Sequence, residues 1–201
     1  MKEVIISVFV WFCALPLLPH VICFQLLKYV NGGVIFEDLK AFKTHKGKDS
    51  WCDLYAFLRF MVRIPEYRNV FYMRLPRPLR MLLGYVPQRS TLHIFTKSCN
   101  IGGGFYVGHG WGTVVNAKKI GRYCVVGQNV TIGSRNIKEP MIGDNVSVWA
   151  HAVVLGDIVV GDNTQIGSGA VVVKSVPANC VVVPAKSMII RQDGERCVKL
   201  L

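Results

Sequence analysis

The second half of the chain is written in sixes. Aliphatic residues recur at Ile142, Val148, Val154, Val160, Ile166 and Val172, and an upstream run repeats the step at Ile120, Val126 and Ile132. Four positions beyond each lie small or β-branched residues, among them Cys124, Val130, Val146, Ala152, Ile158, Thr164, Ala170 and Val176. Glycine follows the leading residue at Gly121, Gly127, Gly133, Gly143, Gly161 and Gly167. A helix or a heptad would space its apolar positions at 3.6 or 3.5. A period of six predicts instead one short strand and one corner per unit, three units per triangular coil, with coils pairing about 4.8 Å apart. The register slips twice. The step from Val107 to the next apolar position, taken as Val114, is seven, and Ile132 to Ile142 is ten. The second gap pushes a loop out of the coil within Ser134–Met141, and both slips are expected to flank one binding region.

The first half is patterned differently. Residues 4–27 contain no charged side chain, which is enough for a membrane-spanning helix of about 20 residues. Pro16 and Pro19 predict a kink, a re-entrant turn or a hairpin there. A cleaved signal peptide and a buried core helix are the competing readings. Lys28, Lys40, Lys43, Lys46 and Lys48 follow the segment and place its C-terminal side in the cytoplasm. Residues 50–85 read as short helices. Ser50 is a candidate cap, Trp51, Leu54, Leu58, Met61 and Val62 recur at helical spacing, and Pro65 opens a second helix. Arg68, Arg74, Arg77 and Arg80 alternate with Val70, Phe71, Met73, Leu75 and Leu79. They suit either an amphipathic pair packed on the second half or an interfacial helix whose arginines meet lipid phosphate.

The chain has 201 residues, 51% hydrophobic and only 18% charged, yet a formal charge of +12. That apolar content excludes a disordered chain. The basic excess is uneven: residues 28–90 hold 12 basic and 5 acidic residues, and residues 91–201 hold 11 and 6. An anionic membrane surface fits an apolar and basic chain better than nucleic acid does. Seven scattered cysteines without a CxxC pair argue against a disulfide framework or a structural zinc site. The expected organisation is an apolar membrane-associating segment (1–27), a basic helical region (28–90), a β-helix domain (91–190) and a C-terminal tail (191–201).

Several stretches in order carry a resemblance. They are Gly102-Gly103-Gly104-Phe105-Tyr106-Val107-Gly108-His109, Val115-Asn116 with Lys119-Ile120-Gly121, and Gln128-Asn129-Val130-Thr131-Ile132-Gly133. Further on come Pro140-Met141-Ile142-Gly143-Asp144-Asn145-Val146, Ile166-Gly167-Ser168-Gly169-Ala170-Val171-Val172, Val176-Pro177 and Val183-Pro184-Ala185-Lys186. Over roughly residues 94–190 the chain resembles the left-handed β-helix hexapeptide acyltransferases. It is most similar to their serine acetyltransferase branch and its relatives in polysaccharide gene clusters. The resemblance implies a mostly β fold, a left-handed parallel β-helix that breaks the usual right-handed crossover rule, preceded by helices. It also implies acetyl-CoA as acyl donor, no metal, and a homotrimer with sites shared between subunits.

By the same resemblance, His109 is the general base that takes the proton from an acceptor hydroxyl as it attacks the thioester. Imidazole suits that work because it titrates near operating pH. Trp111 and His93 are read as acceptor-facing. The resemblance places Ala150, Gly167 and Ser168 along the pantetheine arm, and Lys174, Lys186 and Arg191 near the nucleotide phosphates. Trp149 either stacks on a ligand or plugs the subunit seam. His93, His109 and His151 also raise the zinc carbonic anhydrases built on this solenoid, whose closely spaced histidine pair is absent here.

Two departures bear on the acceptor. The aspartate that orients the histidine in the serine enzymes falls at Ile94, beside His93, and the one directly before the histidine is Gly108, which leaves His93 or a backbone carbonyl to orient the base. The Arg-His-Pro stretch that binds the serine carboxylate is Lys138-Glu139-Pro140. Lysine lacks the arginine fork, and Glu139 repels a carboxylate but can accept hydrogen bonds from sugar hydroxyls. The expected activity is O-acetylation of a sugar in a surface polysaccharide or its precursor, at the cytoplasmic face of the inner membrane. The alternatives are a serine O-acetyltransferase of cysteine biosynthesis and an inactive solenoid scaffold.

Overall fold

A computed structural model describes residues 15–30, 33–134 and 136–200. Among the described residues five helices come first: α1 (Leu18–Val30), α2 (Val34–His45), α3 (Asp53–Arg63), α4 (Pro65–Arg74) and α5 (Arg77–Leu83). Pro65 opens α4 as expected, since a first-turn proline has no hydrogen bond to lose. Ser50 does not cap α3. The N-cap position is Cys52, without a side-chain bond, and Asp53 in the first turn instead pairs with Lys43 at 2.9 Å.

The apolar N-terminus differs from its expectation in one respect. Pro19 lies in the first turn of α1, with Pro16 in the turn ahead of it, where a proline loses no helical hydrogen bond. No helix among the described residues is long and apolar enough to cross a membrane. Residues 4–14 of the apolar segment lie outside the described residues.

The helices share one aromatic core. Phe24 stacks on Phe57 at 4.4 Å, Phe42 meets Tyr67 edge-on at 5.1 Å, and Phe57 meets Phe71 edge-on at 5.2 Å. Arg68 and Arg74 are buried. Arg68 donates to the Met61 carbonyl at 2.6 Å and to that of Pro87. Arg74 pairs with the buried Asp38 at 2.8 Å and donates to the carbonyls of Ser98, Ile101 and Gly102. These two arginines therefore serve the packing of the helices, not a lipid surface.

The rest is a parallel β-solenoid of three faces. The first face stacks strands 92–94, 113–115, 131–133, 153–155 and 171–172, the second 119–120, 141–142 and 159–160, and the third 106–107, 125–126, 147–148, 165–166 and 181–182. Every pairing is parallel and in register, as in Ile132↔Val154 and Val148↔Ile166. The leading aliphatic residues point inward and are buried, as the period of six requires. Corners between the second and third faces hold Asn145, Asn163 and Asn179 at φ 55, 56 and 60. Asparagine tolerates that left-handed region, and here its side chains bond coil to coil at 3.2 and 3.0 Å.

Both register slips are present, with two corrections. The inward residue after Val107 is Val115, not Val114, because Val107 pairs with Val126 and Val115 with Ile132. The stretch 108–113 thus carries two residues more than its counterparts 127–130 and 149–152. The slips also lie on different edges of the prism. Residues 108–112 join the third face to the first, whereas 134–140 join the first to the second. After Val182 the chain leaves the solenoid and forms an antiparallel hairpin, Met188–Gln192 with Glu195–Leu200.

Candidate active site

The enlarged corner carries His109, at φ 54 and exposed to solvent. Regular coils put one left-handed residue at this corner: Asn129 at φ 52, His151 at φ 61 and Gly169 at φ 73. Their backbone N–H groups reach back one coil, Asn129 to Trp111, His151 to Gln128 and Gly169 to Ala150. By that pattern Gly112, at φ 58, is the ordinary corner residue of the His109 coil. His109 is then the product of the insertion, lifted off the coil into a tight turn closed by the Trp111 N–H on the His109 carbonyl.

Three features hold this turn from behind. A Cβ on Gly110 would come within 3.1 Å of Leu92 and Val107 and 3.3 Å of Glu66, so a larger residue there would press on all three side chains. The Glu66 carboxylate is bonded by Arg89 Nε at 2.9 Å, with side-chain exposures of 7% and 21%. The Arg89 guanidinium lies 3.9 Å from the centroid of the Trp111 ring, a cation–π contact. Asn69 fixes the Arg89 backbone from both sides, accepting from its N–H at 2.8 Å and donating to its carbonyl at 3.1 Å.

In front of the turn lies a groove of 580 Å³, lined by His45, Tyr106, His109, Gln128, Trp149 and Ala150 among others. His45, from the end of α2, stacks on Tyr106 at 4.2 Å. Burial, and then the neighbouring Lys46, holds its imidazole below the usual histidine range. No side chain among the described residues hydrogen-bonds the His109 ring. His93 does not supply that contact. Its strand pairs His93 with Val114, which puts the ring beside Phe95 in a separate pocket with Asn69, Arg80 and Gln88.

The other predicted residues divide by edge. Ala150, Gly167 and Ser168 occupy successive corners on the His109 edge, and Lys186 lies beyond the last strand of the third face, where the chain has left the solenoid. A Cβ on Gly167 would meet the Val182 carbonyl at 2.9 Å, so this glycine is already required by coil stacking. Lys138, Glu139 and Lys174 lie on the edge between the first and second faces, away from His109 within one chain. Lys138 is bonded to Asp157 at 2.8 Å. Arg191 sits in the exposed C-terminal hairpin. The histidines 93, 109 and 151 do not gather, and among the described residues no cluster of His, Cys, Asp or Glu suits a metal ion.

Sequence reasoning missed His45, Tyr106, Gln128 and the Glu66–Arg89 pair. His45 and Glu66 come from helices far upstream, with no local motif to mark them. Tyr106 stood within a quoted motif, but as an outward neighbour of Val107 it carried no chemical signal.

The family model for bacterial transferase hexapeptide repeats matches residues 139–174. The serine acetyltransferase of Staphylococcus xylosus is 32% identical over 184 residues, covering 88% of this chain and 83% of that one. That of Synechococcus elongatus is 34% identical over 132 residues, covering 63% and 54%, so this chain spans about half of that relative's length. Among solved structures, the Neisseria gonorrhoeae serine acetyltransferase in complex with serine superposes with a TM-score of 0.58 at 25% identity, over 77% of this chain and 66% of that one. On the extent of the Staphylococcus match, the repeat and the parallel solenoid, the chain belongs to the hexapeptide-repeat transferases of the serine acetyltransferase family.

Proposed function

We propose that this chain transfers acetyl from acetyl-CoA to an acceptor hydroxyl, with His109 as general base and L-serine as the acceptor. The observation that carries the reading is His109 itself, raised on a two-residue insertion at the mouth of a groove whose floor is a column of small corner residues. The imidazole takes the hydroxyl proton while the oxygen bonds to the thioester carbonyl carbon. Collapse of the adduct breaks the C–S bond, and the proton passes from imidazolium to the leaving thiolate. Serine is supported by the names of the relatives and by the serine-bound structure neighbour.

A sugar hydroxyl is the second reading, favoured by one specific observation. Lys138, the cation at the expected carboxylate-binding stretch, is already matched by Asp157, and Glu139 follows it. That edge offers an amino-acid carboxylate no surplus positive charge, whereas a neutral polyhydroxy acceptor needs none. Lys138 and Glu139 can meet a His109 only across a boundary between copies, which supports a homo-oligomeric enzyme.

The deciding experiment measures CoA release with L-serine and, in parallel, with neutral sugars. Saturable turnover on serine supports the first reading, and turnover on sugar alone supports the second. In either case His109→Ala should lower kcat by about 10²–10⁴-fold while CoA still binds. Unchanged turnover in that variant overturns the mechanism.

A further inference from the structure

The helical layer leaves an apolar face that nothing among the described residues covers. Helix α1 has no charged residue from Leu18 to Leu27 and is apolar on both sides. One side buries Leu17, Cys23, Phe24 and Leu27 in the core. The opposite side carries Leu18, Ile22 and Leu26, one helical turn apart and 51%, 51% and 62% exposed. Helix α5 extends this face with Met81 and Leu82, 77% and 71% exposed. The two helices enclose an apolar groove of 480 Å³ between Ile22, Leu26, Leu79 and Leu82. A helix hydrophobic all round belongs in a core or in lipid, and exposed patches of this kind mark a partner surface.

Charge identifies the partner. Arg77 and Arg80 are exposed on α5 beside these aliphatic residues, the mixture of an interfacial helix. No Asp or Glu occurs in residues 4–36 or 67–138, which contain both helices. Nothing on these segments therefore repels an anionic surface. The chain leading into the face, residues 1–14, has the same apolar composition with one Lys and one Glu.

We propose that this face lies on an anionic lipid bilayer. Leu18, Ile22, Leu26, Met81 and Leu82 insert among the acyl chains, while Arg77 and Arg80 meet lipid phosphates. The helices lie in the plane of the interface and do not cross it. The attachment is independent of the acceptor chemistry and of His109.

The test is co-sedimentation of the full chain with phosphatidylcholine vesicles, with and without phosphatidylglycerol. The wild-type chain should partition onto the anionic vesicles. The variant Ile22→Ser/Leu26→Ser/Leu82→Ser should lose about tenfold or more of that partitioning, with its circular dichroism and acetyl transfer unchanged. The variant Arg77→Gln/Arg80→Gln should lose only the preference for phosphatidylglycerol, and with it the salt sensitivity. Leu82→Glu alone serves as the apolar test if the triple variant fails to fold. Wild-type protein that ignores both vesicles overturns the proposal. So does a correctly folded apolar variant that binds as well as wild type, which would assign the attachment to residues 1–14. A variant that alters only the mass of the protein in vesicle-free solution would assign the face to a second copy and also overturn it.

Discussion

Gly110 is constrained by its neighbours rather than by its own φ: a Cβ would sit 3.1–3.3 Å from the side chains of Leu92, Val107 and Glu66. Behind it, Arg89 links the buried Glu66 carboxylate to the Trp111 ring. Arg89→Ala leaves that carboxylate buried without its cation, which costs about 3 kcal/mol. The loss should appear as a lower urea midpoint at unchanged m-value, and kcat should fall more than the KM for CoA as Trp111 loosens. His20 provides a pH test. Its Nε2 lies 2.9 Å from both the Tyr72 hydroxyl and the Leu83 carbonyl, and burial lowers its pKa below the ordinary value despite the bond to Leu83. The unfolded chain therefore binds the proton first. Stability should be full above about pH 6.5 and decline as pH falls through that value toward the lower folded pKa. His20→Gln should flatten this limb in urea melts collected across the range. At this scale His109 was singled out by the resemblance that the stretch Gly102 to His109 carries, and the structure places it on the groove. His45 and Glu66 were not, since nothing local marks a residue that reaches the groove from another layer.

Among elements, the decisive contact is the one between the helical layer and the first coils. Arg74 on α4 spans Asp38 on α2 and three carbonyls of the first coil where it turns onto the second face, while Asp38 also accepts the Phe105 N–H at 2.9 Å. Both side chains are almost wholly buried, at 4% and 3% exposure. Arg74→Ala strands the Asp38 charge and should destabilise the chain by about 3–5 kcal/mol, read as a lower Tm or as a separate early unfolding step of the helices. The strands themselves were written in the period of six, because each coil repeats one local solution and needs only its neighbour to bury the aliphatic residue. The length of the first insertion was misread by one residue. Val114 and Val115 are equally apolar, and only pairing with Ile132 decides which faces inward.

For the whole molecule, the unresolved apolar surface lies outside both the core and the groove. Val159, Val171, Val181 and Val183 are exposed on the solenoid at 51%, 66%, 69% and 69%, and Lys138 and Glu139 lie on an edge that His109 of the same chain does not reach. The homotrimer that the resemblance implies predicts a mass of three copies of the 22.4 kDa chain in sedimentation equilibrium. Substituting Val171→Lys should shift that mass toward the monomer and lower activity with it. A monomeric, fully active wild type would refute the shared-site arrangement. The sequence alone determined the solenoid and its period, because these rest on nearest-neighbour steps along the chain. Only the tertiary structure decided which edge each corner joins, which carboxylate backs the histidine turn and which face of α1 is left open. Those depend on where separate coils and helices meet, and a one-residue change in register or a helix start displaced by a proline moves them all.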